Sequence, residues 1–142
     1  MLNRGINYGE PSLWVRPVYK KGFDDQTITT VVRIGDRSHS DDPRFIPLNT
    51  DIPVRFIERV GFEKKNVPPA LYPDDGMTVL IVKKISKRIK DLTRENLNGA
   101  APDSITPELV RYHLGTINNT ELPHKDDLVT IYHFIYQPKV NE

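Results

Sequence analysis

The sequence predicts an α+β domain: a small mixed β-barrel that carries two short helices. Three observations lead there. Four segments, 27–34, 52–60, 77–90 and 127–137, are rich in β-branched residues or alternate apolar with polar ones. Helix-end signals occur at Thr93 and at Thr106. The last strand follows both helices, so it must pair with a strand from earlier in the chain. A barrel with helices over an open end satisfies that order and protects the strand edges.

Each element has a local reason. Thr27–Ile34 is almost wholly Thr, Val and Ile, and the polar stretch Gly35–Pro43 after it reads as a long loop. In Ile52–Val60, Val54 and Phe56 share one face, and Pro53 stands at the start, where no ladder donor is needed. Residues 63–76 contain Pro68, Pro69, Pro73 and Asp75-Gly76, which predicts a turn-rich insertion. Met77–Lys90 opens with Val79-Leu80-Ile81-Val82 and ends in a basic half. Thr93 is placed to cap a helix over Arg94–Asn98 that stops at Gly99. Thr106 is placed to cap a second from Pro107 to Leu114, with Leu109, Val110, His113 and Leu114 toward the core. In Leu128–Tyr136, alternation puts Thr130, Tyr132, Phe134 and Tyr136 opposite Val129, Ile131, His133 and Ile135. Upstream, residues 1–11 read as a flexible arm before a domain spanning 12–142. Leu13–Val15 reads as a short apolar piece, and Lys20–Gln26 as a loop around Gly22.

Composition narrows the function classes. A chain of 142 residues suits one domain that buries a real core. With no Cys, a disulfide framework, a Cys nucleophile and a thiolate zinc site are all excluded, and a cytoplasmic location is expected. The first residues hold no apolar run of a secretory signal, and no stretch approaches the ~18 apolar residues of a membrane span. With 20 basic against 19 acidic residues, overall charge does not announce a nucleic-acid binder, so local clusters must carry any such reading.

Three segments, taken in their order and spacing, carry a resemblance. They are TITTVVRIGDR (27–37), ISKRIKDLTRENLNG (85–99) and DDLVTIYHFIY (126–136). Together they resemble the first strand, the strand leading into the short helix, and the closing strand of the ASCH family, a branch of the PUA-like barrels. The resemblance covers roughly residues 12–137. It implies a cleft for RNA or a nucleotide beside the first strand. Some members are amidohydrolases acting on an acylated cytidine. That chemistry is attributed to a Lys heading the first strand, a nearby Thr, and an acid near the first helix. This chain departs from the pattern. With Arg33 as the strand's terminal basic residue, the Lys slot falls on Thr29 or Ile28, and the acid slot on Asn98. Neither Thr nor Ile offers an amine to act as nucleophile or base.

Candidate residues have two readings each. Arg33 and Arg37, with Ser38 and His39, offer planar guanidinium forks for phosphate oxygens, or belong to a solvated loop. Lys83, Lys84, Lys87, Arg88 and Lys90 concentrate positive charge that neutralises phosphates, or they guard the edge of a strand. Trp14, Tyr19 and Tyr72 lie in loop-rich segments, where they either stack on bases or pack. The four His residues lack metal-ligand spacing, and no phosphate loop or nucleophile elbow is present, so no metal and no cofactor are expected. Asp pairs at 41–42, 74–75 and 126–127 sit at turns or strand starts.

The expectation is therefore an RNA- or nucleotide-binding module without evident catalysis, its contacts drawn from Arg33, Arg37, Lys83, Lys84, Lys87 and Arg88. One alternative is an amidohydrolase on a modified nucleoside, using Thr27, Thr29, Arg33 and a relocated Lys20 or Lys21, with Lys21 and Thr29 as the catalytic candidates. The other is a viral or assembly protein that contacts neighbours through its Pro-rich segments. Oligomeric state is not legible in the sequence.

Overall fold

The computed structural model describes residues 12–42, 45–59, 70–71, 77–117 and 123–137. The expected arm 1–11 and most of the 63–76 insertion, Tyr72 included, lie outside them. Among the described residues there are six strands, β1 (Leu13–Val15), β2 (Thr30–Ile34), β3 (Asp51–Arg59), β4 (Ala70–Leu71), β5 (Thr78–Arg88) and β6 (Leu128–Tyr136), and two α-helices, α1 (Lys20–Asp24) and α2 (Pro107–Ile117). This is the α+β domain with two short helices that the sequence predicts, with one helix in a different place.

Strand order is β1-β3-β5-β6-β2, and β4 pairs with β3. β1 runs parallel to β3; the other pairs are antiparallel. Residues from β1, β2, β3, β5 and β6 meet in one buried cluster that includes Leu13, Val31, Val54, Ile81, Tyr132 and Phe134. A flat sheet cannot bring its first and last strands into one cluster, so the sheet is curled. The curl is incomplete, however. Among the described residues no ladder joins β1 to β2, and the barrel has an open seam. Across that seam the Arg33 guanidinium on β2 donates to the Trp14 carbonyl on β1 at 2.9 Å.

A second cluster covers the outer face. Val110 and Leu114 of α2 pack with Val32, Ile89, Leu92, Leu97, Val129 and Ile131. β6 is therefore buried on both faces, and its alternation is realised: Tyr132 and Phe134 enter the inner core, Val129 and Ile131 the outer one. Leu109 differs from expectation. It stays 39% exposed, because Val110, His113 and Leu114 already fill the contact stripe. α2 also runs on through Gly115 to Ile117.

Two other local expectations are corrected. Residues 94–99 form hydrogen-bonded turns rather than a helix. Thr93 still caps them: Asn96 N donates to Thr93 Oγ1 at 3.1 Å, and Thr93 N to Asn96 Oδ1 at 3.0 Å. With the Thr93–Asn96 bonds closing its N-terminal end and Gly99 at φ 86° turning the chain away at the other end, the segment does not extend into a helix. Lys20–Asp24, expected as a loop, is α1. Its Gly22 makes room for Ile28, whose Cδ1 lies 2.4 Å from where a Cβ would stand.

Candidate functional site

The open seam holds a cleft of about 270 Å³. Its walls come from both sheet edges and from the helical layer. Trp14 lies on β1, with Arg16 just beyond it. Tyr19 lies in the 3-10 turn ahead of α1, Arg33 on β2, and Arg37 in the loop after β2. Asp103 comes from the 3-10 turn Pro102–Ser104, and His113 from α2. Val15, Phe23 and Val31 supply an apolar floor.

Three of these polar groups form a network. Tyr19 Oη donates to Asp103 Oδ2 at 2.5 Å. His113 Nε2 lies 2.9 Å from the same Tyr oxygen, and His113 Nδ1 lies 3.3 Å from Asp103 Oδ2. With the Tyr proton committed to Asp103, the His ring donates to Tyr19 through its N–H. Ser104 Oγ donates to Asp103 Oδ1 at 3.1 Å, so both carboxylate oxygens are engaged. Burial, then the hydrogen bond and charge of Asp103, pushes the Tyr19 pKa well above its ordinary value, so the phenol stays protonated. Burial lowers the His113 pKa; Asp103 opposes the shift, while Arg33 and Arg16 add to it.

Arg33 is the unusual member. Its Nη1 donates to the Val32 carbonyl at 3.1 Å and its Nη2 to the Trp14 carbonyl. These occupy two of its five N–H donors. Among the described residues no carboxylate pairs with it. Burial depresses its pKa, but an arginine remains charged after such a shift. Arg37 points its Nε–H to the Ile34 carbonyl at 3.0 Å. The Arg37 backbone N–H is held by buried Thr130 Oγ1 at 2.9 Å, which in turn donates to the Gly35 carbonyl. Asp36 anchors the same loop to Ser86; hydrogen bonds from Ser38, and then from Ser86, hold its pKa below the usual carboxylate value.

The cations of β5 do not gather. Continuous pairing with β6 from Lys83 to Arg88 keeps alternate residues on opposite faces. The sole bulge on this ladder is at Val82, ahead of the run, between Ile81 and Lys83. Lys84 Nζ donates to the Ile46 carbonyl at 3.0 Å and sits 3.9 Å from the Phe45 ring centroid. Burial lowers its pKa. Lys87 Nζ donates to Asn96 Oδ1 at 3.1 Å. Lys83 and Arg88 are exposed. Arg33 and Arg37 therefore line the cleft, and the four β5 cations do not.

The catalytic candidates lie elsewhere too. Lys20 and Lys21 project from α1 and pair with Asp24 and Asp25 one turn on; the Lys21 side chain is 86% exposed. Thr29 sits against Gly99, its N–H donating to the Gly99 carbonyl at 2.9 Å. Next to it, Thr30 Oγ1 donates to the Asn98 carbonyl. The positions that the ASCH pattern gives to Lys and acid are thus neighbours, but they hold no titratable side chain. Among the described residues no cluster has the ligands to hold a metal ion. No described helix is long and apolar enough to cross a membrane.

Sequence reasoning singled out Arg33, Arg37, Trp14 and Tyr19. It missed Asp103, and it read His113 only as a core-facing residue. Both belong to the cleft through contacts with Tyr19 across 84 and 94 positions of chain.

No family model and no curated protein matches the chain. Among solved structures, the chain resembles protein EF3133 from Enterococcus faecalis, described as a member of family DUF984. The TM-score is 0.58 at 9% sequence identity, over 93% of this chain and 83% of that one. The likeness extends to the fold.

Proposed function

We propose that this domain binds RNA or a nucleotide in the seam cleft, as a PUA-like module of the ASCH type. The observation that carries the reading is Arg33: a partly buried guanidinium, pinned by two backbone carbonyls, that lines the cleft and has no carboxylate partner among the described residues. Partial desolvation of a cation that no carboxylate neutralises is unfavourable, and an anionic ligand offsets it. Arg16 and Arg37 line the same space, and Trp14 offers an aromatic face to a base. The order of strands and turns supports the ASCH assignment, as does the pairing of the 27–37 segment with the closing strand.

Trp14 is the only tryptophan in the chain, so its fluorescence reports on the cleft directly. Titration with a short unstructured RNA and with the four ribonucleoside monophosphates should give saturable changes that weaken as salt rises. An unchanged spectrum at low salt with every one of these probes would refute the reading.

A further inference from the structure

We propose that the seam cleft is a proton-linked site: His113 takes up a proton when an anionic ligand binds, so affinity rises as pH falls. This rests on the nucleotide reading above and adds its regulation. His113 presents both ring nitrogens to oxygens. Nε2 lies 2.9 Å from Tyr19 Oη, and Nδ1 lies 3.2 Å from that oxygen and 3.3 Å from Asp103 Oδ2. The Tyr19 proton goes to Asp103 Oδ2 at 2.5 Å. A neutral imidazole has a single N–H. Placed on Nε2, it serves Tyr19 and leaves the Nδ1 lone pair against the carboxylate. Placed on Nδ1, it leaves the Nε2 lone pair against a phenol oxygen whose proton is already committed. Only the imidazolium makes both nitrogens donors, so the cluster accommodates one proton more than a neutral ring holds.

The surroundings hold that proton off. Among the described residues, the charged or titratable groups facing the ring are Tyr19 and Asp103 from the two 3-10 turns, Arg33 on β2 and Arg16 beyond β1. Burial is the largest influence against charging the ring; Asp103 opposes it, and the two arginines add to it. Both arginines line the cleft, so an anion seated there offsets their field at His113 and the ring charges. By linkage, a ligand that raises the pKa of a group binds more tightly where that group is protonated.

The test needs a ligand that does not itself titrate near neutrality, which rules out monophosphates, whose second pKa is about 6. A short oligouridylate with hydroxyl ends carries only phosphodiesters. Its affinity, followed by Trp14 fluorescence, should rise as pH falls through the ordinary His value of about 6.5, approaching tenfold per pH unit at the steepest point. Calorimetry of the wild-type protein in two buffers of different ionisation enthalpy should show proton uptake on binding. His113→Gln should flatten the profile. His133→Gln, on a half-buried His that does not line the cleft, should keep the wild-type slope. Binding that is independent of pH and takes up no proton would overturn the coupling and leave the nucleotide reading standing. A slope that survives in His113→Gln would place the proton elsewhere and overturn it as well. Absence of oligouridylate binding across the pH range would overturn both.

Discussion

Gly99 is the position where one added carbon should cost most. Its φ is 86°, a left-handed conformation in which a Cβ is strained by about 1–2 kcal/mol. Space is a second obstacle. A Cβ there would stand 2.1 Å from Thr29 Oγ1 and 3.2 Å from Thr30 Oγ1. Thr29 must rotate away, or the turn must lift off β2. Lifting breaks the bonds from Thr29 N and Thr30 N to the Gly99 carbonyl, at 2.9 and 3.2 Å, each worth about 1 kcal/mol. Gly99→Ala should therefore destabilise the domain by roughly 2–4 kcal/mol, measured as a loss in urea-unfolding free energy followed by circular dichroism. Thr29→Ala in the same chain removes the oxygen in the way, so the double variant should recover part of the loss and leave the conformational part. A loss below about 0.5 kcal/mol for Gly99→Ala, or a double variant no better than the single one, would refute the packing argument.

Four further outcomes are expected. Thr93→Ala should cost about 1 kcal/mol in urea unfolding, since it removes the cap on the Arg94–Gly99 turns. Leu114→Ala should cost about 2–5 kcal/mol, because Leu114 is fully enclosed between α2 and the outer face of the sheet. Lys84→Ala should lower the urea midpoint, since Lys84 holds the Ile46 carbonyl and covers Phe45; Arg88→Ala on the exposed end of β5 should leave it unchanged. For pH, burial depresses the folded pKa values of His113 and His133 below their unfolded values. Below the unfolded value near 6.5, the unfolded chain binds more protons than the folded one, so stability falls as pH drops from 7 through 6 toward the folded pKa values. Urea midpoints at pH 7.5 and 5.5 should show that fall, and His113→Gln should shrink it.

The long strands were legible because their reasons are local. β-branched runs and alternation mark β2, β3, β5 and β6 within a residue or a few of their ends. β1 was not, because three residues carry no period, and its parallel partner Val54–Phe56 lies about forty positions away. α1 was hidden because Gly22 reads as a loop breaker, whereas here its missing side chain lets the helix rest on Ile28. In the cleft, Arg33 and Arg37 stood out as cations after a strong strand, and Trp14 and Tyr19 as aromatics in irregular segments. Nothing near Asp103 or His113 in the sequence distinguishes them; only folding brings both to Tyr19. The basic run is legible as sequence but not as arrangement: the pleat sends the four cations on β5 to two faces, Lys90 lies in the turn beyond it, and Lys84 and Lys87 bond to the protein's own loops.

On the proposed reading a nucleotide binds in the seam between β1 and β2 rather than on the basic half of β5. Amide chemical-shift mapping on isotope-labelled protein separates the two most directly. Adding a ribonucleoside 5′-monophosphate at low salt should move the resonances of Trp14, Arg16, Arg33, Arg37 and the Asp103–His113 region, leaving Lys83–Arg88 in place. Shifts concentrated on Lys83–Arg88, or none at millimolar nucleotide, would contradict the account.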